Sequence, residues 1–213
     1  MKTQAGITYT DVSTWSNDNT LTYSKRIKKV HSISALAGFS LYSSKRKIHG
    51  VSYMNIPDEE LGMSGIEKGT PYTSIASRTN FTLASFFGRL NYNYKSKYLF
   101  TGTWRADGSS KFPYKNRWGY FPSAALAWNM KNESFLKNSS IVSNSKLRVS
   151  YGITGNNRVS EFDYLPSLQI SQFAAYSYKN GAPIDGLVPG GLGNSDLRWE
   201  STHQTDIGYD LGL

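Results

Sequence analysis

Cysteine is absent from the sequence, which excludes a disulfide framework and any thiolate metal site and leaves the redox compartment open. No run approaches the roughly 18 consecutive apolar residues that a membrane helix needs. The first residues, MKTQAGITYTDVSTW, have no apolar stretch behind their single lysine, so they do not read as a secretory leader. No amphipathic helix of useful length appears either. The three histidines, His31, His49 and His203, have no His or carboxylate at metal-ligand spacing, which points to surface or loop positions. GMSG at 62–65 lacks the final glycine of a nucleophile elbow. GGLGNSD at 190–196 reads as a flexible loop, because no buried strand precedes it and no helix follows. Asp58, Glu59 and Glu60 form a solvated acidic run, and a lone Asp-Gly-Ser at Asp107 is a thin basis for a calcium loop. No catalytic constellation and no cofactor site emerges, so catalysis is not expected.

What the sequence has is aromatic rings and alternation. Aromatic residues make up 14% of a chain whose mean hydropathy is −0.46, so its apolar surface is concentrated in rings, a composition that suits β-structure. Residues 31–42, HSISALAGFSLY, set Ile33, Ala35, Ala37, Phe39 and Leu41 against mostly serine and glycine. RLNYNY at 89–94 separates Leu90, Tyr92 and Tyr94 from Arg89, Asn91 and Asn93. LRVSYGIT at 147–154 and TDIGYDLGL at 205–213 repeat the pattern. These runs predict seven long strands at about 20–27, 31–45, 79–94, 97–107, 118–129, 146–155 and 198–213. Several reach the roughly 9 to 11 residues that a tilted strand needs to cross a bilayer.

The intervening segments mostly alternate short and long: 28–30, 46–78, 95–96, 108–117, 130–145 and 156–197. An up-and-down membrane barrel sorts its connections in this way, whereas a sandwich uses Greek-key connections. The 130–145 segment is longer than that rule expects, and a helical turn is expected around Glu133 to Leu136. Trp104, Trp118, Tyr120, Trp128, Tyr94 and Tyr98 fall near strand ends, where an interfacial aromatic girdle belongs. On this reading Trp104 and Trp118 lie near one membrane interface and Trp128 near the other. Arg89, Asn91, Asn93, Arg105 and Arg148 fall on the polar face, the one expected to line the lumen of a membrane barrel. In the 156–197 loop, Tyr164, Phe173, Tyr176 and Tyr178 stand among Ser, Asn and Gln. That mixture either stacks on sugar rings and docks a partner or packs between neighbouring loops.

The net charge of +9 raises nucleic acid or an anionic surface as partners, but the bases are scattered as KRIKK at 25–29, KRK at 45–47 and single residues near turns. A solvated rim is the plainer reading, and no nucleic-acid partner is expected. A soluble, secreted β-sandwich that binds carbohydrate through exposed aromatics is the alternative to a membrane barrel.

Five blocks carry a resemblance: SFFGRLNYNYKSKYLFTGTWRADGSSKF at 85–112, NRWGYFPSAALAW at 116–128, ESFL at 133–136, KLRVSYGITGNN at 146–157 and LRWESTHQTDIGYDLGL at 197–213. In order and spacing they resemble the barrel of SusC/RagA-type TonB-dependent outer-membrane transporters. The resemblance implies an all-β, antiparallel up-and-down transmembrane barrel segment and a place in the outer membrane of a Bacteroidetes-type bacterium. It further implies glycan or peptide uptake, a SusD-like surface lipoprotein as partner, energy from the TonB complex through a plug region, and contact with outer-membrane lipid. The chain shows no plug, no TonB-box region and no final strand ending in an aromatic residue. Residues 1–213 are therefore expected to be an internal, C-terminal-half slice, roughly a third of a wall of about 22 strands. Such an open sheet is expected to aggregate, and to transport nothing, without its missing strands.

Overall fold

The computed structural model describes residues 3–57, 60, 62–177, 181 and 184–213. Strands dominate: β1 (Gln4–Ile27), β2 (His31–Met54), β3 (Thr70–Tyr94), β4 (Tyr98–Ser109), β5 (Trp118–Tyr120), β6 (Ser123–Asn129), β7 (Asn144–Asn156), β8 (Ser167–Tyr176), β9 (Ile184–Gly191) and β10 (Glu200–Gly212). One eight-stranded sheet runs β1-β2-β3-β4-β6-β7-β10, with β5 added to β4. Along this path the strands follow one another in chain order, with β5 beside the path and β8 and β9 outside the sheet, which is a meander and not a Greek key, and the order ends at β1 and β10 without closing. The all-β, unclosed barrel segment expected from the sequence is the observed architecture. No helix among the described residues is long and apolar enough to cross a membrane, a fact that says nothing about crossing by strands.

Four boundaries differ from the sequence reading. Strands β1, β2 and β3 hold 24, 24 and 25 residues, so much of the expected 46–78 loop is strand. Polar alternation there (SSKRKIHG, TSIASRTN) conceals extended backbone from a search for apolar rows. The expected 118–129 strand is broken into β5 and β6 around Pro122, which has no N–H for the ladder. Phe121 N still donates to Arg105 O at 2.8 Å and Pro122 O accepts from Ile153 N at 3.0 Å, so the break is local. Within the 156–197 loop, β8 and β9 pair as a separate two-stranded sheet. GGLGNSD is accordingly not all loop, since Gly190 and Gly191 end β9.

The chain forms two compact units. The first lies within residues 1–16 and 42–82, the second within 17–41 and 83–213. In the first, a 3₁₀ segment at Gly62–Lys68 contains GMSG and buries Ile66, and Ile56 is buried in the same unit. Gly69 sits so close to Ile56 and Tyr53 that a Cβ would meet them at 2.9 and 3.1 Å. In the second unit, the tight connections at 28–29 and 95–96 are two-residue turns. Val30 N donates to Ile27 O at 3.2 Å and Lys97 N to Tyr94 O at 2.9 Å. Lys28, Lys29, Lys95 and Ser96 all have φ between 50° and 60°. That is the type I′ geometry whose twist matches the flanking strands. The third connection at this end begins as a 3₁₀ turn at Met130–Asn132, and Leu136 N and Lys137 N then both donate to Glu133 O, forming the expected helical turn. Neighbouring turns are tied together: Lys95 N reaches Val30 O, Asn129 N reaches Lys97 O and Asn132 Nδ2 reaches Ser96 O, each at 2.7 Å.

Candidate functional site

Register within the second unit sorts the side chains into two faces. Tyr94 pairs with Tyr98, Tyr98 with Trp128, Trp128 with Leu147 and Leu147 with Tyr209. Two residues further along, Tyr92, Phe100, Leu126, Val149 and Ile207 make the next row of the same face. Because side chains alternate, the intervening rows belong to the other face. These are Asn93, Leu99, Ala127, Arg148 and Gly208, then Asn91, Thr101, Ala125, Ser150 and Asp206, then Arg89, Thr103, Ser123, Gly152 and Gln204. One face is thus aromatic and aliphatic, and many of its residues, Leu126, Val149, Ile207 and Tyr209 among them, stay exposed. The other is built from amides, hydroxyls and charges.

Rings gather at both ends of the apolar face. At the tight-turn end Tyr94, Tyr98 and Trp128 stack in sequence, with centroids 6.4 and 6.5 Å apart. Toward the other end Phe86 stacks on Trp118 at 6.0 Å and Trp104 lies 6.4 Å from Tyr120. Tyr98 and Ala106, the partner of Tyr120, are separated by about 27 Å of strand at ~3.4 Å per residue. Tilted by roughly 35–45° as barrel strands are, that length spans about 19–22 Å along the membrane normal, a little less than an apolar band about 25 Å tall.

All five candidate polar residues, Arg89, Asn91, Asn93, Arg105 and Arg148, stand on the polar face, and most are engaged there. Asn91 Oδ1 accepts from Thr101 Oγ1, and Asn93 Oδ1 accepts from Ser96 N, both at 2.9 Å; the second bond caps the turn. Arg148 Nη2 donates to Asp210 Oδ1 at 2.7 Å. Arg105 Nε donates to Asp107 Oδ2 at 2.7 Å and its Nη2 to Ser85 Oγ at 3.0 Å, while its guanidinium lies 5.6 Å from the Phe87 ring. Asp107 is only 7% exposed, so it is an ion-paired strand residue of β4 and not part of an open loop. Arg89 is exposed and, among the described residues, makes no ion pair.

The histidines lie in strands, His49 and His203 at exposed positions as expected and His31 half-buried, and each partners a tyrosine. His31 Nδ1 bonds Tyr92 Oη at 2.8 Å, His203 Nδ1 bonds Tyr151 Oη at 2.7 Å, and His49 stacks on Tyr9 at 5.8 Å. No group of three His, Cys, Asp or Glu side chains among the described residues is arranged to hold a metal. In the loop region, Tyr164 is half-buried in the turn before β8, Phe173 lies within β8 and Tyr176 ends it, 59% exposed. Tyr178, Asp58 and Glu59 lie outside the described residues.

Two clusters escaped the sequence reading. Glu133 gathers three donors: Lys97 Nζ at 2.6 Å, Tyr98 Oη at 2.7 Å and Trp128 Nε1 at 3.2 Å. Those bonds, Lys97 first, hold its carboxyl at about 2 against an ordinary 4.5, even though burial pushes the other way. Its presence in the ESFL block was the available signal. The second cluster packs Phe112, fully buried, 5.1 Å from Trp199, with Phe121 at 5.3 Å from the same indole, whose Nε1 donates to Arg117 O at 2.9 Å. Lys115 Nζ meets Asp196 Oδ1 at 2.6 Å beside it, which lowers the Asp196 carboxyl. Sequence distances of about 80 residues hid both contacts.

Comparison with known proteins agrees with this geometry. The family described as "TonB dependent receptor-like, beta-barrel" matches residues 2–213. TonB-dependent receptor P3 of Formosa agariphila is 35% identical over 99% of this chain and 21% of its own length. TonB-dependent receptor SusC of Bacteroides thetaiotaomicron is 43% identical over 65% of this chain and 14% of its own. A solved RagAB peptide transporter, 24% identical, superposes with a TM-score of 0.84 over 98% of this chain and 23% of that one, which shows the fold. The chain spans about a fifth of the length of the curated relatives that it matches along most of its own length. An unclosed meander with one ring-bordered apolar face and one polar face, matched in this way, belongs to the TonB-dependent receptor β-barrel family.

Proposed function

We propose that residues 1–213 are a stretch of barrel wall, without plug or closing strands, in an outer-membrane receptor that imports a glycan or peptide nutrient. The observation that carries this is the division of the sheet into an exposed, ring-bordered apolar face and a polar face built on Arg89, Asn91 and Arg148. In water the first face is unfavourable at about 25 cal/mol per Å², whereas lipid removes that cost and a polar lumen suits the second face. The sheet edges at β1 and β10 take the remaining strands of a wall of about 22.

The roles of the polar residues divide on their partners. Arg105 and Arg148 are neutralised by Asp107 and Asp210 of the same chain, so their part is to hold the wall. Arg89 presents an exposed guanidinium to the lumen, where it meets either the plug or the passing nutrient. The 157–199 segment, with Tyr164 and Tyr176, faces a SusD-like lipoprotein on the outside, and the TonB complex acts through the plug region. Neither contact asks this segment for catalysis or a cofactor.

The test uses the full receptor chain that carries this segment, expressed in its bacterium. Recovery in salt-washed outer membranes with heat-modifiable gel mobility, together with TonB-dependent growth on a glycan or peptide that a deletion strain cannot use, is the expected result. A soluble, monomeric product sinks the reading. Arg89→Gln should weaken uptake several-fold while leaving heat-modifiability intact; unchanged uptake removes Arg89 from the path.

A further inference from the structure

The positive charge of the chain is concentrated at one end of the sheet. Residues 25–31, 94–98 and 129–146, which form the three connections at the tight-turn end, together with the end of β10 at 209–213 beside them, hold nine Lys and Arg and two acids, Glu133 and Asp210. Their balance is 9 − 2 = +7; the rest of the chain holds 15 bases and 13 acids, a balance of +2. This segregation is invisible along the sequence, where the same bases look scattered, because the turns come together only in the meander. From it we infer that the tight-turn end is a binding surface for the anionic headgroups of phospholipids in the adjoining leaflet. The inference rests on the membrane-barrel reading above.

Three further observations support it. The cations lie at the depth where phosphates are. Tyr94, Tyr98 and Trp128 form the last ring row of the apolar face, at the level that amphipathic rings take among headgroups. Lys95 follows Tyr94 directly, with its Nζ 5.1 Å from that ring, and Lys28 and Lys29 occupy the tip of the neighbouring turn.

The lysines also sit where the backbone does not favour them. Type I′ turns prefer Asn-Gly, because both central residues have positive φ. Here those positions are Lys28-Lys29 and Lys95-Ser96, so a side chain with a Cβ occupies each left-handed site at a backbone cost that Asn or Gly avoids. A cation retained at such a position points to a use for the charge.

Finally, the turns enclose a polar cleft of about 460 Å³ lined by Arg26, Lys29, His31, Asn93, Lys95 and Ser96. The Arg26 guanidinium donates to Lys29 O at 3.2 and 2.9 Å and so fixes the cleft wall. Of the other bases here, Lys97 is paired with Glu133, and Lys131 donates to Leu136 O and Ser139 O. Lys28, Lys29 and Lys95 are exposed at the tips of the two tight turns, with Lys25 and Lys137 exposed beside them.

The turn geometry supplies a clean test. In the full receptor, Lys28→Asn, Lys29→Gly, Lys95→Asn and Ser96→Gly together remove three charges and install the preferred turn sequence. A second variant, with Arg at 28, 29 and 95, keeps the charge. Each protein is folded into vesicles of phosphatidylethanolamine alone and with one-third phosphatidylglycerol, then extracted, and the retained lipid is measured by mass spectrometry. Wild type and the Arg variant should retain phosphatidylglycerol in excess of its bulk share, and the neutral variant should lose that excess by about fivefold or more, each cation near an anionic surface contributing in this range. In pure phosphatidylethanolamine the neutral variant should melt at or above the wild-type temperature. Undiminished enrichment in the neutral variant overturns the inference, as does displacement of the excess by millimolar inorganic phosphate, which would assign the cleft to a free anion. Wild type that folds in both vesicles without any lipid preference refutes the headgroup site alone, whereas failure to fold in either vesicle refutes the barrel reading beneath it.

Discussion

Trp199 closes the loop end of the second unit, and its replacement shows how much of that end depends on one ring. The indole touches Phe112 and Phe121 and donates to Arg117 O, linking the residue before β10 to the loop that follows β4. Trp→Ala in a packed core costs about 3 to 5 kcal/mol, and because Trp199 is half-buried the lower figure applies, about 3 kcal/mol. The hydrogen bond accounts for about 1 kcal/mol of this. Since the cluster is confined to the loop end, the loss should appear as local opening of 110–122 and not as global unfolding. That loop carries Lys111, Lys115 and Arg117, so trypsin reports its opening. At low protease, where cleavage follows the open population, Trp199→Ala in the full receptor should speed cutting there about a hundredfold, and Trp199→Phe, which keeps most packing but not the bond, about fivefold. Equal cleavage rates in wild type and Trp199→Ala would show that the cluster does not hold the loop. Faster cutting spread over the whole chain would show that the ring supports the barrel globally.

Other expectations follow from single contacts. The Glu133 carboxyl is held below its ordinary value, so it stabilises the folded turn above pH 4.5, and that stabilisation drains away as pH falls from 4.5 toward 2. Hydrogen exchange at 130–143 should accelerate across that window in wild type and stay flat in Glu133→Gln; identical profiles would refute the assignment. Gly155→Ala places a Cβ 2.1 Å from Phe121 Cζ, and overpacking of this kind costs about 1 to 3 kcal/mol. Adding Phe121→Leu should recover part of the lost thermal stability, and a further drop in melting temperature would count against the clash. Arg105→Ala leaves Asp107 buried without its cation, at a cost of about 2 kcal/mol given the half-exposed guanidinium. Asp107→Asn in the same background should restore melting temperature, and no rescue would mean that Arg105 acts through Phe87 and Ser85 instead.

Period-two alternation fixes which residues share a face whatever the neighbouring strand, so Leu90, Tyr92 and Tyr94 part from Arg89, Asn91 and Asn93 in the sequence as they do in the sheet. The five family blocks likewise carried the barrel, its meander and the ring positions, because motif order follows strand order when each strand pairs with the next. Local chemistry without apolar rows was harder to read. SSKRKIHG and TSIASRTN are strand because β1, β2 and β3 supply one another's hydrogen bonds, and β8 pairs with β9 over a gap that looks like loop.

Long-range partners could not be read from the sequence at all. Whether an arginine is an open lumen cation or half of an ion pair depends on what lies beside it in the sheet: Asp210, diagonally across on β10, decides this for Arg148, whereas Asp107, two residues along the same strand, pairs with Arg105 locally. The amino-acid order by itself determined the class of structure, the two faces and the family, since these depend on near neighbours and on spacing. Only the tertiary structure decided which charges are neutralised, that Phe112, Phe121 and Trp199 share one core, and that lysines scattered over 120 residues stand together at one end, because Coulomb and packing energies fall with distance in space and not along the chain.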